Sequence, residues 1–235
     1  MGARLKKTLW VLFFFVAYIA VIGGIEFVFK KNLLNLGRQA DMWKLIVTII
    51  CNGILFICMY KVHTKLFKPT VKRKIQLMDL IFVFVTYIAL IFSDYLIYNL
   101  WSSMAYGTGR SKLVDYFFRA NLPLTTDKYI FALAALDIVC FAPLLEEFLF
   151  RGFLNNLLRG KVNAFVRMSI VSILFAVGHM PYIHNWIQFL AYLIGSIVLF
   201  LVYERRRSLF DAILLHSLLN GLLVILFIEI PKRFF

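Results

Sequence analysis

Seven long apolar runs constrain the fold of this chain more than any other feature of its sequence. The length of each run is close to the roughly 20 residues that a helix needs to cross the hydrocarbon core of a bilayer. Lipid offers no partners for open backbone N–H and C=O groups, so each spanning segment must be helical. The sequence therefore predicts an all-α, polytopic transmembrane bundle of about seven helices. The runs extend over residues 8–29, 43–62, 77–101, 129–157, 164–180, 186–203 and 208–229.

The N-terminal run and the stretch 102–128 need separate interpretations. The first run resembles a signal peptide but is too long for an h-region and lacks a small-x-small cleavage site, so we expect a retained anchor. In the less apolar stretch 102–128, Ser111 can cap a short helix with apolar and charged faces, which predicts an interfacial helix. We expect one membrane domain, with N-terminal helices and interfacial segment in 1–128 and a catalytic helical core in 129–230.

The chain has 62% apolar residues, 16% charged residues and a net charge of +14. Its Lys and Arg residues flank the apolar runs, which indicates membrane topology and contact with lipid headgroups and argues against nucleic-acid binding. With the N-terminus in the cytoplasm, 15 basic residues lie inside and 10 outside. The bias predicts a multi-pass cell-membrane protein whose C-terminus is outside. Cys51, Cys58 and Cys140 form no CxxC pair, so no disulfide framework is expected.

The fourth run contains two adjacent acidic residues, Glu146 and Glu147. An acidic residue at a helix centre costs about 3 kcal/mol on insertion scales. Arg151 lies four residues after Glu147 on the same helix face, so these two are expected to form an ion pair. Glu146 points about 100° away around the helix, which favours a functional role. Pro143 cannot donate to the carbonyl of Val139, so the helix is expected to kink there.

Two later runs carry further polar groups. His179 ends the fifth, and His216 and Asn220 project from one face of the seventh because they lie four residues apart. Each of these residues alone is compatible with ordinary interhelical hydrogen bonding. Counted from the cytoplasmic helix ends, Glu146, His179 and Asn220 lie about 18–20 Å along their helices, and His216 lies about 12 Å along its helix. A carboxylate beside a histidine can activate water, and a His–Asn pair can stabilise an oxyanion.

These residues resemble the motifs of the CAAX protease and bacteriocin-processing family, also called the Abi family, which includes the type II CAAX prenyl endopeptidases. Its pattern is EExxxR, FxxxH and HxxxN. The positions that match are Glu146, Glu147, Arg151, Phe175, His179, His216 and Asn220. The resemblance, over about residues 129–225, implies that Glu146 and His179 activate water. It also implies that His216 and Asn220 stabilise the oxyanion and that Glu147 and Arg151 support the site.

An intramembrane endopeptidase is therefore predicted, with a peptide precursor as substrate and no cofactor. The chain has no HExxH motif and Asn220 is a poor zinc ligand, so no metal is expected. The alternatives are a non-proteolytic membrane partner in bacteriocin immunity or sensor-kinase regulation, and a small transporter with a proton relay. A rhomboid-like serine at Gly195-Ser196 fits less well, because Ile197 replaces the following glycine. The composition favours a bacterial source.

Overall fold

The computed structural model describes residues 2–32, 37–67, 75–105, 127–179 and 186–229. Within these ranges the chain is helical, and the only non-helical pairing is an isolated bridge between Arg159 and Val162. The prediction of an all-α fold is confirmed. The helices are α1 (Ala3–Asn32), α2 (Gly37–Leu66), α3 (Leu77–Ala105), α4 (Lys128–Leu158), α5 (Ala164–Gly178), α6 (Trp186–Arg206) and α7 (Leu209–Glu229).

Side-chain caps fix where several of these helices begin. The Asp127 carboxylate accepts hydrogen bonds from the backbone N–H groups of Tyr129 and Ile130 at the start of α4. Before α7, the Ser208 hydroxyl accepts from the Asp211 N–H and donates to its carboxylate. Such contacts satisfy the N–H groups that have no partner in the first helical turn. Short polar segments between apolar runs therefore set the helix boundaries.

Length and surface composition show that the bundle is a membrane structure. Three described helical stretches are long and apolar enough to cross a bilayer, and shorter apolar helices accompany them. Large apolar side chains cover outward faces; on α1, for example, Val16 is 65% exposed and Ile19 is 67% exposed. Apolar surface of this extent is suited to lipid rather than to water. The three long stretches are Arg4–Phe29, Gln39–Leu66 and Lys128–Leu158.

Three sequence-based expectations are not tested by the described residues. The interfacial helix expected within 102–128 lies almost wholly outside the described residues. The direction in which the chain crosses the membrane stays a prediction, as does the division at residue 128.

The chain separates into two compact units. The first comprises Met1–Arg73 and Thr125–Val171, and thus contains α1, α2, α4 and the first part of α5. Helix α1 packs on α2, and both helices contact α4. The core of this unit contains the fully or almost fully buried side chains of Phe14, Met59, Leu145, Leu149 and Phe153.

The second unit comprises Lys74–Leu124 and Ser172–Phe235. Helix α7 packs against α3 and α6 around an apolar core of Val83, Leu90, Leu199, Val202 and Leu215. At one end of these helices the Asp79 carboxylate accepts hydrogen bonds from Arg205 and Arg206. Arg205 also lies 3.5 Å from Asp211. These ion pairs connect the start of α3, the end of α6 and the start of α7.

Candidate active site

Helix α4 changes its hydrogen-bond pattern on both sides of the two glutamates. Residues Asp137–Phe141 and Phe148–Asn155 are π-helical, whereas Ala142–Glu147 between them is α-helical. Pro143 lies at the start of the α-helical part, where the loss of a backbone N–H donor is tolerated. The predicted disturbance at Pro143 thus takes the form of a wider turn directly before it. Short π-helical insertions are rare in proteins, and those that do occur are often found at functional sites.

Glu147 and Arg151 form the ion pair that their spacing predicted. The Arg151 Nη1 donates to Glu147 Oε1 at 3.0 Å, and both side chains are completely buried. The contact joins the end of the α-helical part of α4 to the π-helical part that follows. A buried ion pair requires good geometry because each charge has lost its hydration. The pair therefore fixes the helix directly after Glu146.

Glu146 is buried, with 8% of its surface exposed, and it points toward α1. The Tyr18 hydroxyl donates a hydrogen bond to Glu146 Oε1 at 3.2 Å. The charges of Asp137 and Arg151 also lie within electrostatic range of the Glu146 carboxylate. Glu146 is consequently an acidic group held in a largely dry environment, with a tyrosine donor from another helix.

The sequence-based assignment did not include Tyr18. A signal was present, because Val11, Phe14 and Tyr18 have the i, i+3, i+7 spacing of one helix face. Val11 and Phe14 are buried. Nothing in the sequence of α1 indicates which helix that face contacts. Sequence alone therefore does not distinguish Tyr18 from the other members of the apolar run.

Helix α2 contributes two further polar side chains to the first unit. Asn52 Nδ2 donates to Asp137 Oδ1 at 2.9 Å, and this contact ties α2 to the first π-helical turn of α4. The His63 ring packs against Phe148 and Phe153, with ring centroids 5.4 Å apart in each case. Both residues stabilise the irregular parts of α4 that flank the glutamates.

In the second unit, His179 follows directly after α5 and is half-buried. Its Nδ1 lies 2.8 Å from the backbone oxygen of Phe175. A carbonyl oxygen can only accept, so Nδ1 carries the proton in this contact. In the neutral ring the lone pair then lies on Nε2. In that tautomer Nε2 is the acceptor atom of the ring.

Phe175 lies between the two histidines of this unit. Its ring centroid is 4.5 Å from that of His179 and 5.8 Å from that of His216. Tyr192 of α6 stacks on His179 at 4.4 Å, with ring planes inclined by 23°. His216 is 7% exposed, and Asn220 is half-buried one turn later on α7. The phenylalanine of the FxxxH pattern therefore positions both imidazole rings.

The structure thus groups the predicted site residues within each unit. The first unit contains Glu146, Glu147 and Arg151. The second unit contains His179, His216 and Asn220. Tyr18 and Tyr192 are additional contacts that only the folded chain reveals. Among the described residues, no group of three or more His, Cys, Asp or Glu side chains is placed to hold a metal ion.

Comparison with known proteins finds similarities in the region that carries Glu146, His179, His216 and Asn220. Residues 128–222 match a family model described as type II CAAX prenyl endopeptidase Rce1-like. The UPF0177 protein YxdF of Lactococcus lactis subsp. lactis (strain IL1403) is 32% identical over 119 residues, which cover 51% of this chain and 57% of that protein. The chain thus spans little more than half the length of this relative. No solved structure shows a significant match.

Proposed function

We propose, from the match of residues 128–222 to the Rce1-like family model of type II CAAX prenyl endopeptidases, that this membrane protein hydrolyses a peptide bond with activated water. The observation that carries the proposal is the buried carboxylate of Glu146. Arg151 has one positive charge but lies within electrostatic range of both Glu146 and Glu147. Buried acidic groups in membrane helices generally serve a function.

In the proposed reaction, Glu146 removes a proton from a water molecule while the water oxygen attacks the scissile carbonyl carbon. The proposed role of His179 is also in the activation of water, with Nε2 as the acceptor atom because its Nδ1–H is donated to the Phe175 carbonyl. The C–N bond of the tetrahedral intermediate then breaks. The proton held by Glu146 passes to the departing amine, so one water molecule yields one acid and one amine.

The proposed role of His216 and Asn220 is to stabilise the oxyanion. The imidazole N–H and the amide N–H₂ donate hydrogen bonds to the oxyanion of the tetrahedral intermediate. One such donor contributes roughly a hundredfold to a thousandfold in rate in other acyl-transfer enzymes. Their i, i+4 spacing on α7 and the low exposure of His216 support this role. Glu147 and Arg151 support the site by fixing α4.

The substrate we propose is a membrane-associated peptide or protein precursor. The relative from Lactococcus lactis is consistent with a bacterial source, and prenylated protein tails are generally absent from bacteria. A bacteriocin or pheromone precursor then fits better than a prenylated protein. A non-proteolytic role as a membrane partner, in bacteriocin immunity or in regulation of a sensor kinase, is the competing function that the experiment below addresses.

Because the substrate is unidentified, the test compares all newly formed peptide termini. Cells without the native gene produce the intact chain, Glu146→Gln or His179→Ala at matched membrane abundance. Quantitative mass spectrometry then records N-terminal and C-terminal peptides in the membrane and the medium. We expect one or more cleavage products that require the intact chain and disappear in both variants. The flanking sequence of such a product defines the substrate.

The control variant is Glu26→Gln, which removes an acidic group of α1 that is paired with Lys44 at the surface. Its product pattern should match that of the intact chain. Unchanged products in Glu146→Gln and His179→Ala would exclude the proposed peptidase. A phenotype that is lost only when the whole chain is deleted would favour the non-proteolytic partner.

A further inference from the structure

We infer that Tyr18 of α1 is a positioning residue of the active site, because its hydroxyl holds the Glu146 carboxylate in one orientation. The inference rests on the proposed function and adds a residue to it. Tyr18 lies outside the region 128–222 that matches the family model. The first helix would then complete the catalytic site as well as anchor the chain.

The packing of α1 on α4 places Tyr18 at this position. Phe14 contacts Phe153 with ring centroids 5.1 Å apart, and Phe15 contacts Phe150 at 5.3 Å. The next contact in the same order joins Tyr18 to Glu146.

Residue numbers rise along α1 while they fall along α4, so the two helices pack antiparallel at this interface. The Tyr18–Glu146 contact continues a regular series of aromatic contacts. The tyrosine ring is therefore held by the same interface that buries Phe14.

The chemistry of the hydroxyl suits a carboxylate that acts as a base. A carboxylate rotates about its last carbon–carbon bond, and a fixed hydrogen bond to Oε1 removes that freedom. The Tyr18 hydroxyl is a neutral donor, so it orients Glu146 without adding a positive charge that would weaken its attraction for a proton. Glu147 differs, because its oxygen is bound by the cationic guanidinium of Arg151.

Tyr18→Phe tests the inference because it keeps the aromatic ring and removes only the hydroxyl. The probe is an internally quenched peptide that spans the cleavage site found by terminal mass spectrometry, assayed with purified protein in liposomes. We expect kcat to fall about tenfold, the usual magnitude for one hydrogen bond to a charged group, with KM changed less than about twofold.

Tyr60→Phe is the matched control, since Tyr60 is an exposed tyrosine of the same unit and no hydrogen bond of its hydroxyl is described. Its kcat should equal that of the intact chain.

A double-substitution experiment separates positioning from a purely structural role. Glu146→Asp shortens the side chain and draws the carboxylate away from the Tyr18 hydroxyl while keeping an acidic group. In that background, Tyr18→Phe should lower kcat by less than about twofold, because the contact is already broken. A full tenfold loss in both backgrounds would overturn the inference in favour of a structural role.

The remaining outcomes distinguish the two proposals from each other. Full activity of Tyr18→Phe together with an inactive Glu146→Gln would exclude the positioning role and leave the proposed peptidase intact. Full activity of Glu146→Gln, or the absence of any product that depends on the intact chain, would exclude both.

Discussion

Glu147 and Arg151 form an ion pair 3.0 Å long in which neither side chain has any exposed surface. Charges in such a position have lost their hydration, and their mutual attraction offsets that loss only while both are present. The pair therefore acts as a unit. Two apolar residues of similar size would stabilise the fold at least as much as this pair does. Either charged residue without the other is strongly destabilising.

Replacement of one partner should destabilise the protein by about 3–5 kcal/mol, the range observed for buried pairs. We expect Arg151→Met and Glu147→Leu each to lower the unfolding temperature in detergent and the membrane abundance. The double variant should recover most of the loss, since no unpaired charge of the pair remains. Thermal unfolding of the purified variants, followed by cysteine-reactive dye, measures this.

The surface pair of Glu26 and Lys44 provides the control for this prediction. Glu26 is 59% exposed, so Glu26→Gln should change stability by less than about 1 kcal/mol. Equal losses of stability in Glu26→Gln and Glu147→Leu would show that burial does not determine how much the Glu147–Arg151 pair contributes to stability.

The ion pair and the helices could be predicted from sequence because their information is local. A spacing of four residues places Glu147 beside Arg151 in any helix, and long apolar runs define membrane helices without reference to their neighbours. Pro143 likewise indicated an irregular helix, although sequence alone did not show that π-helical turns would flank the glutamates. The first of those turns is also contacted from α2, where Asn52 donates a hydrogen bond to Asp137.

Contacts between distant segments could not be predicted in this way. Tyr18 and Glu146 are 128 positions apart, and the helical periodicity of α1 gives only the face on which Tyr18 lies. The stacking of Tyr192 on His179 has the same character, because it depends on how α6 packs beside the end of α5. Sequence patterns therefore identified the polar candidates, and the fold added the residues that hold them.

Replacement of Phe175 should lower activity more than the accompanying loss of stability explains. Phe175→Leu removes a ring that contacts both His179 and His216, and a displacement of about 1 Å at a catalytic group can lower the rate about a hundredfold. We expect kcat/KM for the quenched peptide to fall at least tenfold. The measurement is a steady-state cleavage assay in liposomes.

Phe200→Leu is the comparison, since Phe200 is a buried phenylalanine of the same unit with no described ring contact to either histidine. Both substitutions should destabilise by an ordinary core amount of about 0.5–3 kcal/mol. If Phe200→Leu lowered activity as much as Phe175→Leu at equal stability, a specific role for Phe175 would be refuted.

Removal of divalent metal should leave the activity unchanged. The prediction follows from the proposed use of carboxylate and imidazole groups to activate water and from the poor suitability of Asn220 as a zinc ligand. Purified protein treated with 1,10-phenanthroline and then freed of chelator should cleave the quenched peptide at its original rate. Loss of activity that zinc restores would show the assignment to be wrong.

The most direct test of the account is the cleavage rate of Glu146→Gln in liposomes, measured beside the intact chain and Glu26→Gln. General acid–base groups contribute about 10²–10⁴ in rate. We therefore predict that Glu146→Gln cleaves the peptide at least a hundredfold more slowly, with unchanged abundance and unfolding temperature, while Glu26→Gln retains full activity. A rate for Glu146→Gln within about twofold of the intact chain would contradict the central claim that Glu146 activates water.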